Sequence, residues 1–432
     1  MTGIIVSIVI LLVLLIAGIA LPLVFFAATI FMVLLSGVDS SFVIPYGYAK
    51  INSLTILIVP LFMIAGAFME SSGIGASLMN FSERLVGRIK GGVGVASVVA
   101  CAIFGAISGS ANAALTSLSP VCFPKLYEAG YREGEACSLL ASSSILGCLI
   151  PPSGMMILYA WTTNTSVLAC FLASLAPGLV LTVVFSVINI FMARKMDVKK
   201  LSKEEYKERF SNNKFMDLKT AFALFMPVFV LGSIYGGIMT PTEAAALSAV
   251  YAFLVGVLVY RNINIHNIGP MLAKCGKMAG VIMLLIFSVT ILSRLYIDAG
   301  LPDMVYGLLT GITDNQVIML ILINIFLAII GMLMDDASGI VLAAPLLAPV
   351  VQQLGVDMVH FAAIVGVNLS MGGITPPTAP MMYLAGKLGH GTFAQMLIPS
   401  FKFLVFGWIP VLILTTYCED FALFFPRLFL GY

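Results

Sequence analysis

Four short motifs interrupt otherwise apolar sequence, and they hold the chemistry open to this chain. Two are patches of hydroxyls, amides and carboxylates: Ser108-Gly109-Ser110-Ala111-Asn112 and Asp335-Asp336-Ala337-Ser338-Gly339. The other two are glycine–proline breaks, Gly147 to Ser153 with Pro151-Pro152, and Gly372 to Pro380 with Pro376-Pro377. Proline lacks an amide hydrogen and collides with the preceding helical turn, so each pair frees backbone carbonyls. Glycines at 147, 372 and 373 let a second backbone come close. Freed carbonyls beside a hydroxyl or carboxylate make an oxygen cage suited to a hard monovalent cation. A helix that restarts after a polar tip presents its first N–H groups, and these attract anions. A carboxylate at membrane depth is costly and marks an ion or proton path. At least one of Asp335 and Asp336 is therefore expected to matter. The spacing pairs one tip with one break in each half. Ser108, Ser110 and Asn112 are expected to face Gly147 to Ser153, and Asp335, Asp336 and Ser338 to face Gly372 to Thr378.

Other chemistry finds little support. Seven cysteines are scattered without a CxxC pair, which reads as buried thiols and not as a transition-metal site or disulfides. His266, His360 and His390 fall in predicted loops and receive no role. No nucleophile–base arrangement, phosphate loop or haem ligand pair is visible, so neither an enzyme nor a bound cofactor is expected. Met155-Met156 and Met381-Met382 read as adaptable packing. Arg294 and Asp298, four apart on a helix, are expected to pair. Glu243, just after Pro241, is expected to cap its helix.

These motifs need a membrane to position them. Hydrophobic residues make up 60% of the 432 and charged residues 10%, against about 45–50% and 25% in soluble domains. A bilayer is the solvent that fits, and nucleic-acid binding is excluded as unsupported. The first 49 residues hold no Lys or Arg and one charge, Asp39, so they read as retained membrane segments and not as a signal peptide. About 20 apolar residues cross the hydrocarbon as helix. Candidate spans lie near 3–17, 22–36, 53–69, 136–160, 167–193, 220–236, 241–260, 278–299, 361–385 and 403–418, with 136–160 and 361–385 broken by the glycine–proline motifs. The stretches 91–123 and 317–349 carry a polar patch midway, as a segment that enters, turns and leaves by one face would. Both are predicted to be re-entrant helical hairpins.

The landmarks repeat. Leu146-Gly147-Cys148-Leu149-Ile150-Pro151-Pro152-Ser153 aligns with Met371-Gly372-Gly373-Ile374-Thr375-Pro376-Pro377-Thr378 at an offset of 225, Phe104-Gly105 with Ile330-Gly331 at 226, and Gly18-Ile19 and Pro22 with Gly237-Ile238 and Pro241 at 219. The chain thus divides into a first repeat, 1–193, a connector, 194–219, and a second repeat, 220–432. The connector carries nine Lys and Arg and is expected to be cytoplasmic. Its Ser202 to Arg209 stretch predicts a short amphipathic helix on the membrane surface. The spans then place 82–90, 124–135 and 261–277 on the cytoplasmic side. The counterparts of the first two, 308–316 and 350–361, contain Asp314, Asp357 and no Lys or Arg, and read as external. Equivalent loops on opposite faces define an inverted-topology repeat with both termini outside. Inverted repeats with interrupted helices form the architecture in which a binding site is built at the midplane.

The motifs, in their order, resemble the large membrane subunit of tripartite ATP-independent periplasmic (TRAP) transporters over nearly the whole chain. The residues that carry the resemblance are Phe104 to Ala111, Ile150-Pro151-Pro152-Ser153, Gly331 to Gly339 and Gly373-Ile374-Thr375-Pro376-Pro377. It implies an all-α polytopic permease of the bacterial inner membrane, working as an elevator-type secondary transporter coupled to sodium. It also implies a small four-helix membrane subunit and a periplasmic solute-binding protein as partners, and an organic acid such as a C4-dicarboxylate, sialic acid or sulfonate as solute. By matched motif, Ser108, Ser110, Gly147, Pro151 and Ser153 fall in a first sodium region, with Asn112 beside them. Gly331, Asp336, Gly339, Gly372, Thr375 and Thr378 fall in a second, with Ser338. The solute region takes in Ser108, Asn112, Asp335 and Thr375. Many relatives continue the first tip with Ala-Thr, whereas this chain has Asn112-Ala113-Ala114, which leaves the first ligand set open. A stand-alone sodium symporter for divalent anions is the alternative class, and a channel or purely structural subunit a weaker one.

Overall fold

The computed structural model describes residues 2–36, 40–200 and 217–432, and its regular elements are all helical. Seven helices among them are long and apolar enough to cross a bilayer, from Thr55–Ser72 to Phe393–Tyr417, and the pair Glu133–Leu149 and Gly154–Thr163, bent by 41°, makes an eighth. The chain is a multi-pass membrane protein. Side chains such as Ile16, Leu34, Val228, Ile398 and Phe406 are exposed on its helices, as a lipid-facing surface requires. Thr2–Ile16 and Leu21–Ser36 have 15 and 16 residues. At 1.5 Å per residue each falls short of a bilayer core of about 30 Å. The Ser202 to Arg209 stretch lies outside the described residues.

Both halves carry the same order of elements. Gly92–Ser108 turns into Ala111–Glu128, followed by the bent pair. Gln316–Leu333 is followed by Asp336–Gln353, Met358–Gly372 and Pro380–Gly389. Pro120 and Pro124 lie inside Ala111–Glu128, and Pro345 and Pro349 at the equivalent positions of Asp336–Gln353. Pro151-Pro152 and Pro376-Pro377 are both cis. In each half the helices cross on glycines, which is why those positions tolerate no side chain: a Cβ on Gly105 would collide with Gly147, and one on Gly372 would lie 2.7 Å from Gly331 Cα and closer to its carbonyl.

The helices pack in two groups. In one, Ile58–Ser72 lies along Pro241–Leu254, and Leu21–Ser36 packs between Thr2–Ile16 and Ile265–Asp298. Ser7 and Tyr296 hydroxyls 3.0 Å apart tie the first of these to the last. The other group holds the helix–turn–helix pairs and the broken helices, with Gly154–Thr163 of the first half packed on Asp336–Gln353 of the second. The groups meet where Ile265–Asp298 touches Asp336–Gln353 and Ile58–Ser72 touches Gly92–Ser108.

Some boundaries differ from those the sequence suggested. The helix expected over 278–299 starts at Ile265 and runs 34 residues. Lysine is a good helix former, so Lys274 and Lys277 extend the helix and do not end it, and His266 is helical too. His360 lies in Met358–Gly372, buried, with a ring nitrogen 2.7 Å from the Thr415 carbonyl oxygen. His390 caps a helix in the left-handed conformation, φ +59. Glu243 caps as expected, in a box with Thr240: its carboxylate accepts the Thr240 N–H at 2.8 Å, and its own N–H reaches the Thr240 hydroxyl at 3.3 Å.

Candidate functional site

The first tip is a turn of two residues. Gly92–Ser108 stops at Gly109, whose φ of +63 glycine adopts without penalty. Ser110 is extended, and its hydroxyl accepts the Ala113 N–H at 3.5 Å to start the next helix. Ser108 Oγ lies 3.4 Å from both the N–H and the carbonyl oxygen of Ser110. The break at Ile150 to Ser153 sits directly behind. Gly154 N–H reaches the Gly109 carbonyl at 3.4 Å, and Gly147 packs against the Ser110 carbonyl. Ser153 donates to the Cys148 carbonyl and accepts the Met156 N–H at 3.5 Å. Pro151, Pro152 and Ser153 are all buried. Tip and break are thus in contact through Gly109 with Gly154 and Ser110 with Gly147, and Pro151 and Ser153 lie in the same break.

The second tip follows the same plan with different chemistry. Met334 and Asp335 are extended, and Asp335 occupies the N-cap of Asp336–Gln353. Its carboxylate accepts from Ser338 and not from the backbone. The break behind spans Gly373 to Ala379. Thr378 donates to the Met332 carbonyl, and Thr375 to the Met371 carbonyl at 2.7 Å. Gly331, Gly372 and Thr378 are thus brought together, with Gly339 buried between Ile330 and Leu369. Unlike its buried counterpart, this break is exposed at Pro377 and Thr378.

The expectation that each tip faces only the break of its own half needs correction at Asp336. Its Oδ2 accepts the Cys148 thiol at 3.3 Å, across the two halves. The physical reason is the packing of Asp336–Gln353 on Gly154–Thr163, which sets the start of the former beside the first break.

Between the tips lies a cavity of about 490 Å³, within the usual range for small-molecule sites. Ser108, Ser110, Asn112, Asp335 and Asp336 line it. Gly147, Pro151, Ser153, Gly331, Ser338, Gly339, Gly372, Thr375 and Thr378 do not, and form the layer behind the tips. Several wall residues carried no signal in the sequence motifs. Cys148, which read as inert, is one. Glu70, on Ile58–Ser72, and Lys274, on Ile265–Asp298, are others. Five methionines, at 63, 155, 278, 334 and 381, supply much of the apolar wall. Gly66 brings Ile58–Ser72 close to the first tip, since a Cβ there would lie 3.4 Å from Ser108 Cβ. Arg294 is absent from the wall: it pairs with Asp298 at 2.9 Å, with both side chains exposed.

Residues 5–421 match the family described as tripartite ATP-independent periplasmic transporter, DctM component. The chain is 33% identical over 408 residues to the sialic acid TRAP transporter large permease protein SiaM of Vibrio cholerae, covering 94% of each chain. It is 31% identical over 395 residues to the C4-dicarboxylate TRAP transporter large permease protein DctM of Rhodobacter capsulatus, covering 88% of this chain and 89% of that one. Among solved structures, the YdaH transporter of Alcanivorax borkumensis shares the fold, with a TM-score of 0.57 at 14% identity, covering 86% of this chain and 87% of the other. A matching family over nearly the full length and relatives matched over most of theirs give one conclusion: the chain belongs to the large membrane subunits of TRAP transporters.

Proposed function

We propose that this chain is the permease of a sodium-coupled secondary transporter of the bacterial inner membrane, importing a small organic acid delivered by a periplasmic binding protein. The observation that carries the reading is the cavity between two polar tips, each backed by a proline-broken helix. Anionic solutes suit it: the relatives named above are a sialic acid and a C4-dicarboxylate permease, and both solute types carry carboxylates. Tip backbone N–H groups at helix starts would meet the solute, with Ser108, Asn112 and Asp335 around it.

Sodium would ride behind the tips. The donors gathered there are oxygens, which a hard cation prefers. In the first region these are the Ser108 and Ser153 hydroxyls and the carbonyls of Ser110 and Cys148, with Gly147 and Pro151 shaping the approach. In the second they come from Asp336, Ser338, Thr375, Thr378 and the carbonyls beside Gly331, Gly339 and Gly372. Ions bound there would fix the tips in the shape that receives the solute, which is the physical content of coupling. The two helical groups suit an elevator, the group bearing tips and breaks sliding as a re-entrant unit against the other. The repeated element order supports two repeats, and the Lys and Arg asymmetry of the loops supports their inversion, with both termini periplasmic and 194–219 cytoplasmic.

The cavity offers the solute no arginine among the described residues, and charge-assisted bidentate contacts are the strong ones. High affinity is thus assigned to the binding protein, with a small four-helix membrane subunit completing the complex. Vesicles holding this chain and that subunit should take up micromolar N-acetylneuraminate or succinate only when the cognate binding protein is added. Full-rate uptake without it would favour the stand-alone symporter.

A further inference from the structure

The charges in the cavity wall are unbalanced. Asp335, Asp336 and Glu70 bring three carboxylates to it, whereas Lys274 is the one Lys or Arg among the described residues lining it. Lys274 is exposed and has no ion pair among the described residues. Its direction is fixed by its helix. Lys274, Cys275, Met278 and Ile282 all line the cavity, and this spacing of one, four and eight residues is a single helical face. Lys274 thus projects from Ile265–Asp298, in the group without tips or breaks, toward a space that carboxylates would otherwise make hostile to an anion.

We propose that Lys274 is the counter-charge of the anionic solute, supplied from the opposite wall to the tips, and that it selects anions over neutral solutes of similar size. The inference rests on the anionic-solute reading above and adds the residue that makes it electrostatically workable. A lysine suits the task better than an arginine. Its ammonium is a point charge on a flexible stem, so it attracts a carboxylate without clamping it bidentately. A solute in transit must be released as well as held. Because Lys274 sits on the group opposite the tips, the contact is made only in arrangements that bring the tips beside it.

The test uses the complete transporter in vesicles, with N-acetylneuraminate and succinate as probes. With the binding protein loaded and saturating, Lys274→Gln should lower the uptake rate roughly tenfold, the loss of one charge-assisted contact in the cavity, and Lys274→Arg should keep most of the rate. An unchanged rate in Lys274→Gln would overturn the proposal. A second arm needs no transported solute. A cysteine placed at Ala113, which lines the same cavity, is reacted with anionic sulfonatoethyl and cationic trimethylammonioethyl methanethiosulfonates, with labelling of the parent chain subtracted. Lys274→Gln should lower the anionic-to-cationic rate ratio several-fold, and an unchanged ratio would overturn the proposal. Failure of both acids to be transported would count against the proposed function, while the rate ratio would still decide the role of Lys274.

Discussion

Asp336 and Thr378 occupy the second tip-and-break unit in different ways. Asp336 accepts a thiol from the other half, and Thr378 donates to the Met332 carbonyl of its own. If both help hold a cation, Asp336→Ala or Thr378→Ala should raise the sodium concentration for half-maximal uptake. A contact to a charged group is worth about 1.5–3 kcal/mol, so a rise of roughly tenfold is expected, read in vesicles over a range of sodium. Gly372 supports the same unit sterically. Any Cβ there overlaps the Gly331 backbone, so Gly372→Ala must push the crossing helices away from each other, at a cost of about 1–3 kcal/mol for overpacking. Reduced thermal stability of the purified chain is the expected result. Gly276→Ala, inside a helix and with nothing within 4 Å of the added atom, should not lower it, since alanine favours a helix interior over glycine.

At the scale of elements, the breaks and tips were legible because proline, glycine and clustered polar residues are rare inside apolar runs. Ile150 to Ser153 and Gly373 to Ala379 interrupt helices where the Pro-Pro pairs stand. The partner of Asp336 was not legible. A contact 188 residues away in sequence depends on how two helices from different halves cross, and no local pattern records that angle. Lys274 was misplaced for a related reason. Its charge read as loop, yet a helix longer than the bilayer is thick carries lysines on its outer turns without breaking. The orientation of the elements is open to direct measurement. In a chain freed of native cysteines, single cysteines at Lys203 and Arg88 should resist an impermeant maleimide added outside intact cells, and one at Asp314 should react. Labelling at position 203 from outside would remove the inverted repeat.

In the proposed transporter three features would act together: the cavity holding the solute, the oxygen-lined breaks behind it, and two helical groups moving against each other. Coupling follows only if ion occupancy behind the tips controls solute occupancy between them. A sodium-coupled site open to both faces at once would dissipate the gradient, so such transport must alternate. The most direct measurement is accumulation of labelled N-acetylneuraminate or succinate in vesicles holding the complete transporter and its binding protein. An inward sodium gradient is imposed at constant pH, and potassium replaces sodium in the control. Sodium coupling predicts uptake above the external concentration with sodium and only equilibration or less with potassium. Equal accumulation with potassium would contradict it and shift the role of Asp335 and Asp336 to carrying protons.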